Sequence, residues 1–331
     1  MSKVKIKTRI EKTEIRYVNR AKRIVSRYEK DSDHSFDQEH ELFCAYLIKI
    51  TSDKTQSNLR QIKASCAYYA SSLGFNELSS AIENLPSKQA TSKSEDNKTS
   101  SQKKKFITYE EEKKIHNYIL AEIQSGETCS YWNKPAFVFF KAGLAVGLRP
   151  SEWQSSEILD SPIEACASLV PPILKVKNGK STNGRSFGEF RFIGLSKLNS
   201  HDLTMIKEAL SLATEPKNSF GVNIDWEDYY AGVAGRLYSI TKRLFPRNKK
   251  RPSLYSCRHQ LIANLKSAGY SLVDIACISG HLTDATASEH YGKKKFGNQS
   301  ASLPDANPED LGKIKKMFGS KAPAPLPAPG M

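Results

Sequence analysis

Between Tyr255 and Tyr291 the chain gathers side chains suited to handling a phosphodiester. Arg258 stands three residues after Tyr255, His281 follows Gly280, and Tyr291 closes the stretch. A guanidinium is always charged and meets two phosphate oxygens at once. A phenol, with an ordinary pKa of about 10, is a nucleophile only as it gives up its proton. Such a set can hold an anionic ester and attack its phosphorus with the Tyr291 oxygen. That reaction needs charge neutralisation, a positioned nucleophile and a proton for the leaving sugar oxygen.

The surrounding residues read as elements that bring this set together. From Arg258, the residues Leu261, Ile262 and Leu265 repeat at helical spacing, and Gly269 marks a stop. Ser271 and Asp274 form a start signal for a second helix, with Leu272, Ile275 and Ile278 as its buried face. Gly280 fits the left-handed position just past a helix end, so the turn aims His281. Thr283 is expected to cap a third helix carrying Tyr291. Upstream, Pro135 opens an apolar helix over 136–146 that Gly147 ends; Arg149 lies just beyond, and Pro150 starts the next helix. Over 171–195 the period changes to a hairpin with a long Gly/Asn/Ser turn, and Lys180 sits in that turn.

This order of residues resembles the tyrosine recombinases, also called phage integrases. The resemblance rests on Gly147-Leu148-Arg149-Pro150-Ser151-Glu152, the hairpin lysine Lys180, Arg258-His259, Gly280-His281 and Tyr291. It covers residues 106–318 strongly and the N-terminal part by layout. It implies that Arg149 and Arg258 bind the phosphate oxygens and that Tyr291 forms a 3′-phosphotyrosine. It also implies that Lys180 protonates the leaving 5′-oxygen, with Lys177 as competitor, and that His281 donates a hydrogen bond to the phosphate. Glu152 orients Arg149; His259 and His290 are read as structural. The chain departs from the pattern twice. The histidine usual three residues before the second arginine is Tyr255 here, and Tyr291 follows His281 by ten residues, one more than is most common. Tyr255 can donate to a phosphate oxygen but is a poor base at neutral pH, which leaves water or His281 to take the nucleophile's proton. No metal or other cofactor is expected, since the mechanism needs none.

Composition agrees with a polyanionic partner. The 331 residues carry 50 Lys+Arg against 35 Asp+Glu, a net charge of +15. Six cysteines without a CxxC pair read as reduced thiols. No apolar run approaches the ~20 residues of a membrane span, and the basic N-terminus lacks an apolar signal core. A cytoplasmic protein without membrane contact is expected.

The fold class expected is mainly α with a small antiparallel β-sheet (α+β). Residues 1–86 read as a helical DNA-binding domain, basic along its first helix, where Ile15, Val18, Ala21 and Ile24 are the apolar positions. In this domain Ser57 is read as a helix cap. Residues 87–105 read as a flexible linker, 106–318 as the catalytic domain and 319–331 as a disordered tail. The catalytic domain opens with a capping box at Thr108 and Glu111. Helices are expected over 201–212, over 226–250 and in an amphipathic segment from Asn307. That last segment would pack on a neighbouring protomer, as the resemblance implies, or on its own domain.

The function so implied is a site-specific DNA recombinase serving a mobile element, acting on double-stranded DNA as a tetramer on two duplexes. The alternatives are a DNA-binding accessory protein with weak or lost catalysis and a type IB topoisomerase-like relaxase.

Overall fold

A computed structural model describes residues 11–86, 104–126, 130–179, 186–286, 291–298 and 301–317. The chain divides into two compact units, 1–102 and 103–331. It is mainly helical with one small antiparallel sheet. Most of the expected linker and the tail from residue 318 lie outside the described residues.

Among its described residues the first unit forms the helices α1 (Glu11–Ser32), α2 (His40–Thr51), α3 (Gln56–Ser72) and α4 (Asn76–Asn84). On α1 the buried positions are Ala21, Val25 and Tyr28, at helical spacing. Ile15, read as part of that face, is 53% exposed. The aromatic heart is Phe43, meeting Tyr28 at 5.1 Å and Phe36 at 4.9 Å, both edge-on. α3 is capped by Thr55, whose side chain accepts from the Asn58 amide, rather than by Ser57. Both residues are good caps; the turn ends two residues earlier than the sequence suggests.

The second unit contains α5 (Tyr109–Ser125), α6 (Asn133–Val146), α7 (Ser200–Thr214), α8 (Trp226–Leu244), α9 (Leu254–Ser267) and α10 (Leu272–Ser279). Its sheet runs β1 (Ser156–Leu159), β2 (Ile173–Lys177), β3 (Phe190–Gly194) and β4 (Asp305–Ala306) in that spatial order, every pair antiparallel. The expected hairpin is β2–β3. The two flanking strands escaped the sequence because they are too short to show an alternating period.

α6 is the centre of this unit. It is buried nearly all round, as its almost wholly apolar sequence requires. Phe139 on α6 meets Trp153 at 5.2 Å and Trp226 at 5.7 Å. The Trp226 indole donates to Pro150 O at 2.9 Å. The aromatic cluster therefore clamps the short 3-10 turn Pro150–Ser155 that follows Arg149.

Three expected helices differ in length or place. α8 stops at Leu244 rather than near residue 250, because Pro246 forces the residue before it out of helical backbone. The segment after Asn307 makes a single helical turn, Pro308–Leu311, before Gly312. From there Ile314 packs with Ala276 and Cys277 of α10, and Lys315 pairs with Thr283. Up to residue 317 this tail packs on its own unit. Finally, Tyr291 stands at a bend, not in a helix; Asp284–Thr286 are helical and 287–290 lie outside the described residues. Just past it, a Cβ on Gly292 would lie 2.5 Å from His259 O, so the chain is pressed onto α9 there.

Among the described residues, no helix is long and apolar enough to cross a membrane. Phe139→Ala is expected to cost about 3–5 kcal/mol of stability, measured by urea denaturation of the whole chain; a loss below ~1 kcal/mol would contradict a central role for this cluster.

Candidate active site

Glu152 is fully buried and holds two arginines. The chain leaves α6 through Gly147, whose φ of +60° is left-handed. Gly147 is required twice over, because a Cβ there would also lie 2.8 Å from Leu261 Cδ2 of α9. Arg149 then opens the 3-10 turn with Glu152 third inside it. One Glu152 oxygen accepts from the Arg149 amide at 2.9 Å and from Arg191 Nη2 at 2.8 Å. The other accepts from Arg149 Nη1 at 2.5 Å and from the Gly179 amide at 3.3 Å. Arg191, on β3, also donates to Asn178 Oδ1 at 2.5 Å and through Nε to Ile278 O at 3.0 Å. One carboxylate thus ties the end of α6 to the hairpin, and Arg191 ties the hairpin to α10.

α9 supplies the second half of the site. It begins at Leu254 with a capping box of Ser253 and Ser256. Tyr255 and Arg258, three residues apart, therefore lie on one face. Arg258 is buried; its Nη1 donates to Gly147 O at 2.8 Å and its Nη2 to Ser279 O. α10 has the expected capping box of Ser271 and Asp274 and ends at Gly280, left-handed at φ +67°. A Cβ on Gly280 would lie 2.6 Å from Asn178 Oδ1, so only glycine lets the hairpin close over this turn.

Tyr291 is brought to this centre. Its hydroxyl lies 3.2 Å from His281 Nε2 and 3.4 Å from the Tyr255 hydroxyl. The Arg258 guanidinium stands 5.6 Å from its ring centroid. The rings of His281 and His259 pack on it at 4.9 and 4.8 Å. Of the residues singled out in the sequence, Arg149, Tyr255, Arg258, His281 and Tyr291 thus form one connected cluster. Lys180 and His290 lie outside the described residues. Lys177, the competitor to Lys180, pairs with Glu189 at 3.4 Å.

The electrostatics follow from burial beside arginines. Burial disfavours the Glu152 charge, but Arg191 and Arg149 outweigh it and hold the carboxyl well below the usual range. Burial and then Arg258 pull Arg149 below its ordinary value. For His281, burial and then Arg258 and Arg149 push the imidazole well below its ordinary value, so the ring is neutral. Burial, reinforced by Tyr291, pushes Tyr255 up to about 12. Burial also opposes ionisation of Tyr291, but Arg258 and the hydrogen bond from Tyr255 overcome it, and its pKa falls below that of an ordinary tyrosine. Of the two neighbouring phenols, Tyr291 is the one that ionises.

Sequence reading missed Arg191, Asn178 and Ser279. Arg191 did carry a signal. It stands on β3 in register with buried Val176 and two residues before buried Ile193, so a charge falls on the core-facing side of the strand. A charge placed so needs a buried partner. Ser279 and Asn178 carried none.

No family model matches the sequence, and no curated protein does. The fold does have counterparts among solved structures. The Tn1549 transposon integrase, in complex with a circular intermediate DNA, superposes with a TM-score of 0.50 at 15% identity, covering 88% of this chain and 91% of that one. The chain has the tyrosine-recombinase fold. A lambda integrase dimer bound to a COC′ core site has a TM-score of 0.48 at 15% identity, covering 87% of this chain and 90% of that one. In the tyrosine-recombinase fold of this chain, the cluster around Tyr291 is built from α9, α10 and the turn after α6.

Glu152→Gln leaves two buried arginines short of a counter-charge and is expected to cost about 3–5 kcal/mol at neutral pH. The Glu152 carboxyl is depressed in the folded state, so its contribution is complete above the unfolded value of about 4.3 and is lost as pH falls through the folded value. The stability gap between wild type and variant should hold from pH 8 down to about 5 and narrow only under strong acid. Denaturant melts across that range check it; a gap that closes between pH 7 and 5 would contradict the pairing.

Proposed function

We propose that this protein is a site-specific DNA recombinase of the tyrosine recombinase family. In this reading Tyr291 attacks a DNA phosphodiester and forms a 3′-phosphotyrosine. The observation that carries it is the Tyr291 phenol, held within 3.4 Å of Tyr255 and 3.2 Å of His281 beside the Arg258 guanidinium. Its pKa falls because a buried cation favours the phenolate.

In this reading Arg149 and Arg258 take the two non-bridging phosphate oxygens. The Arg258 Nε is buried with no hydrogen-bond partner among the described residues, which suits a guanidinium awaiting an anion. Tyr255 stays protonated and donates to the oxygen of Tyr291. Lys180 gives the leaving 5′-oxygen its proton. What supports Lys180 over Lys177 is that Lys177 is already paired with Glu189, at 3.4 Å. A free 5′-hydroxyl of another strand then reverses the step without ATP, because the ester energy is kept in the phosphotyrosine.

The partner is double-stranded DNA, and the working assembly is four protomers on two duplexes serving a mobile element. The first unit contacts the duplex through α1, whose Arg16, Lys22, Arg23 and Arg27 are all exposed.

A nicked suicide duplex of the protein's own site should give a covalent adduct on a denaturing gel, lost in Tyr291→Phe. Tyr255→Phe should cut more slowly while binding near normally. No adduct on a duplex that is demonstrably bound would favour an accessory role instead. Affinity should fall steeply with salt, since each neutralised phosphate releases counterions; a flat response in a filter or polarisation titration would contradict the charge argument.

A further inference from the structure

The oxygen of Tyr291 must lose a proton, and among the described residues His281 is the neighbour arranged to accept it. Ser279 ends α10, and its hydroxyl lies 2.6 Å from Ile275 O. That hydroxyl has a single proton, and the carbonyl takes it. A lone pair of Ser279 Oγ is left facing His281 Nδ1 at 2.8 Å, so Nδ1 carries the hydrogen. Arg258 reaches the same tautomer from the other side of the ring. Its Nη2, which can only donate, lies 3.2 Å from His281 Nε2, and a hydrogen there would oppose it. Nε2 therefore carries the ring's lone pair, which the Arg258 N–H and the Tyr291 hydroxyl both approach at 3.2 Å.

We infer that His281 takes the proton of Tyr291 at Nε2, and that Ser279 is the positioning residue that fixes the tautomer for it. The inference rests on the reading of Tyr291 as nucleophile. It assigns His281 a step different from donating to the phosphate in the resting state, where Nε2 has no hydrogen to give.

The step balances. The Tyr291 O–H bond breaks and its proton passes to Nε2. The phenolate oxygen bonds to phosphorus, and the bond from phosphorus to the 5′-oxygen breaks. The leaving oxygen takes a proton from a separate acid, Lys180 in the proposed function. On rejoining, the 5′-hydroxyl gives its proton back to that separate acid as it attacks phosphorus, the bond from phosphorus to Tyr291 breaks, and His281 returns its proton to Tyr291. Proton transfer also changes what His281 offers. Once protonated, Nε2 becomes a donor beside a phosphate whose negative charge is then greatest. The groups facing the imidazole are Arg258 from α9, Arg149 and Glu152 from the turn after α6, Arg191 from β3 and Tyr291. Burial, reinforced by the arginines, keeps it neutral before substrate arrives, so the accepting form is already present at neutral pH.

The test uses single-turnover adduct formation on two suicide duplexes, one ordinary and one with a 5′-bridging sulfur, whose leaving thiolate needs no proton. His281→Ala should slow adduct formation about 10²–10⁴-fold on both duplexes, because the missing function serves the nucleophile. Ser279→Ala should slow it by roughly tenfold, the loss of about 1.4 kcal/mol, and Ser279→Thr, which keeps the oxygen, should restore it. Lys180→Ala should be rescued by sulfur. The wild-type rate should show no acid limb near the ordinary histidine value of about 6.5. Thermal melts and DNA binding of each variant exclude misfolding as the cause. Rescue of His281→Ala by sulfur would overturn the inference, because it would move His281 to the leaving group. An equal loss in His259→Asn with His281→Ala unaffected would overturn it too. Failure of the wild type to form any adduct would instead remove the nucleophile reading on which it stands.

Discussion

A single buried carboxylate organises the site. Glu152 has no exposed surface, and its two oxygens accept from Arg149, Arg191 and the Gly179 amide. An ion so buried is stable only when every lone pair is met. Meeting them forces the turn after α6, the stem of the β2–β3 hairpin and, through Arg191, the end of α10 into fixed relation. Those are the places from which Arg149 and His281 depart. Glu152 touches none of the reacting atoms in the proposed chemistry, yet it fixes the geometry of the groups that do.

The second consequence is charge. Among the described residues of this centre, Arg149, Arg191 and Arg258 face one carboxylate. The Arg258 guanidinium meets two carbonyls, His281 Nε2 and the Tyr291 hydroxyl, and no carboxylate hydrogen-bonds it among the described residues. The site carries an excess of positive charge that a bound phosphodiester would offset. With burial, that excess keeps His281 neutral, and it lowers Tyr291 against burial, so the same cations act on both groups that exchange a proton. Tyr255 fits this arrangement. A second phenol that burial keeps protonated serves as a donor to the Tyr291 oxygen and does not compete for its proton.

Much of this was legible in the sequence where local rules suffice. The capping boxes at Thr108 and at Ser271, and the left-handed glycines 147 and 280, are read from a few neighbouring residues. The mainly helical class with one hairpin followed from periodicity. Elements set by partners far along the chain were not legible. β4 is two residues whose pairing depends on β3, more than a hundred positions away. The segment after Asn307 has a helical pattern but folds as one turn, because Ile314 and Lys315 are claimed by α10 and Thr283. Arg191 and Ser279 have roles only once β3 and α10 are packed together. Ser279 in particular acts through a hydrogen-bond direction that no spacing encodes.

The account rests on a single oxygen becoming bonded to DNA. Two phenols stand 3.4 Å apart in one basic centre, so the direct measurement is to digest the covalent complex and locate the nucleotide by mass spectrometry. The account places a 3′-nucleotide on the peptide containing Tyr291 and leaves Tyr255 unmodified. A nucleotide on Tyr255, or on any other residue, would contradict it.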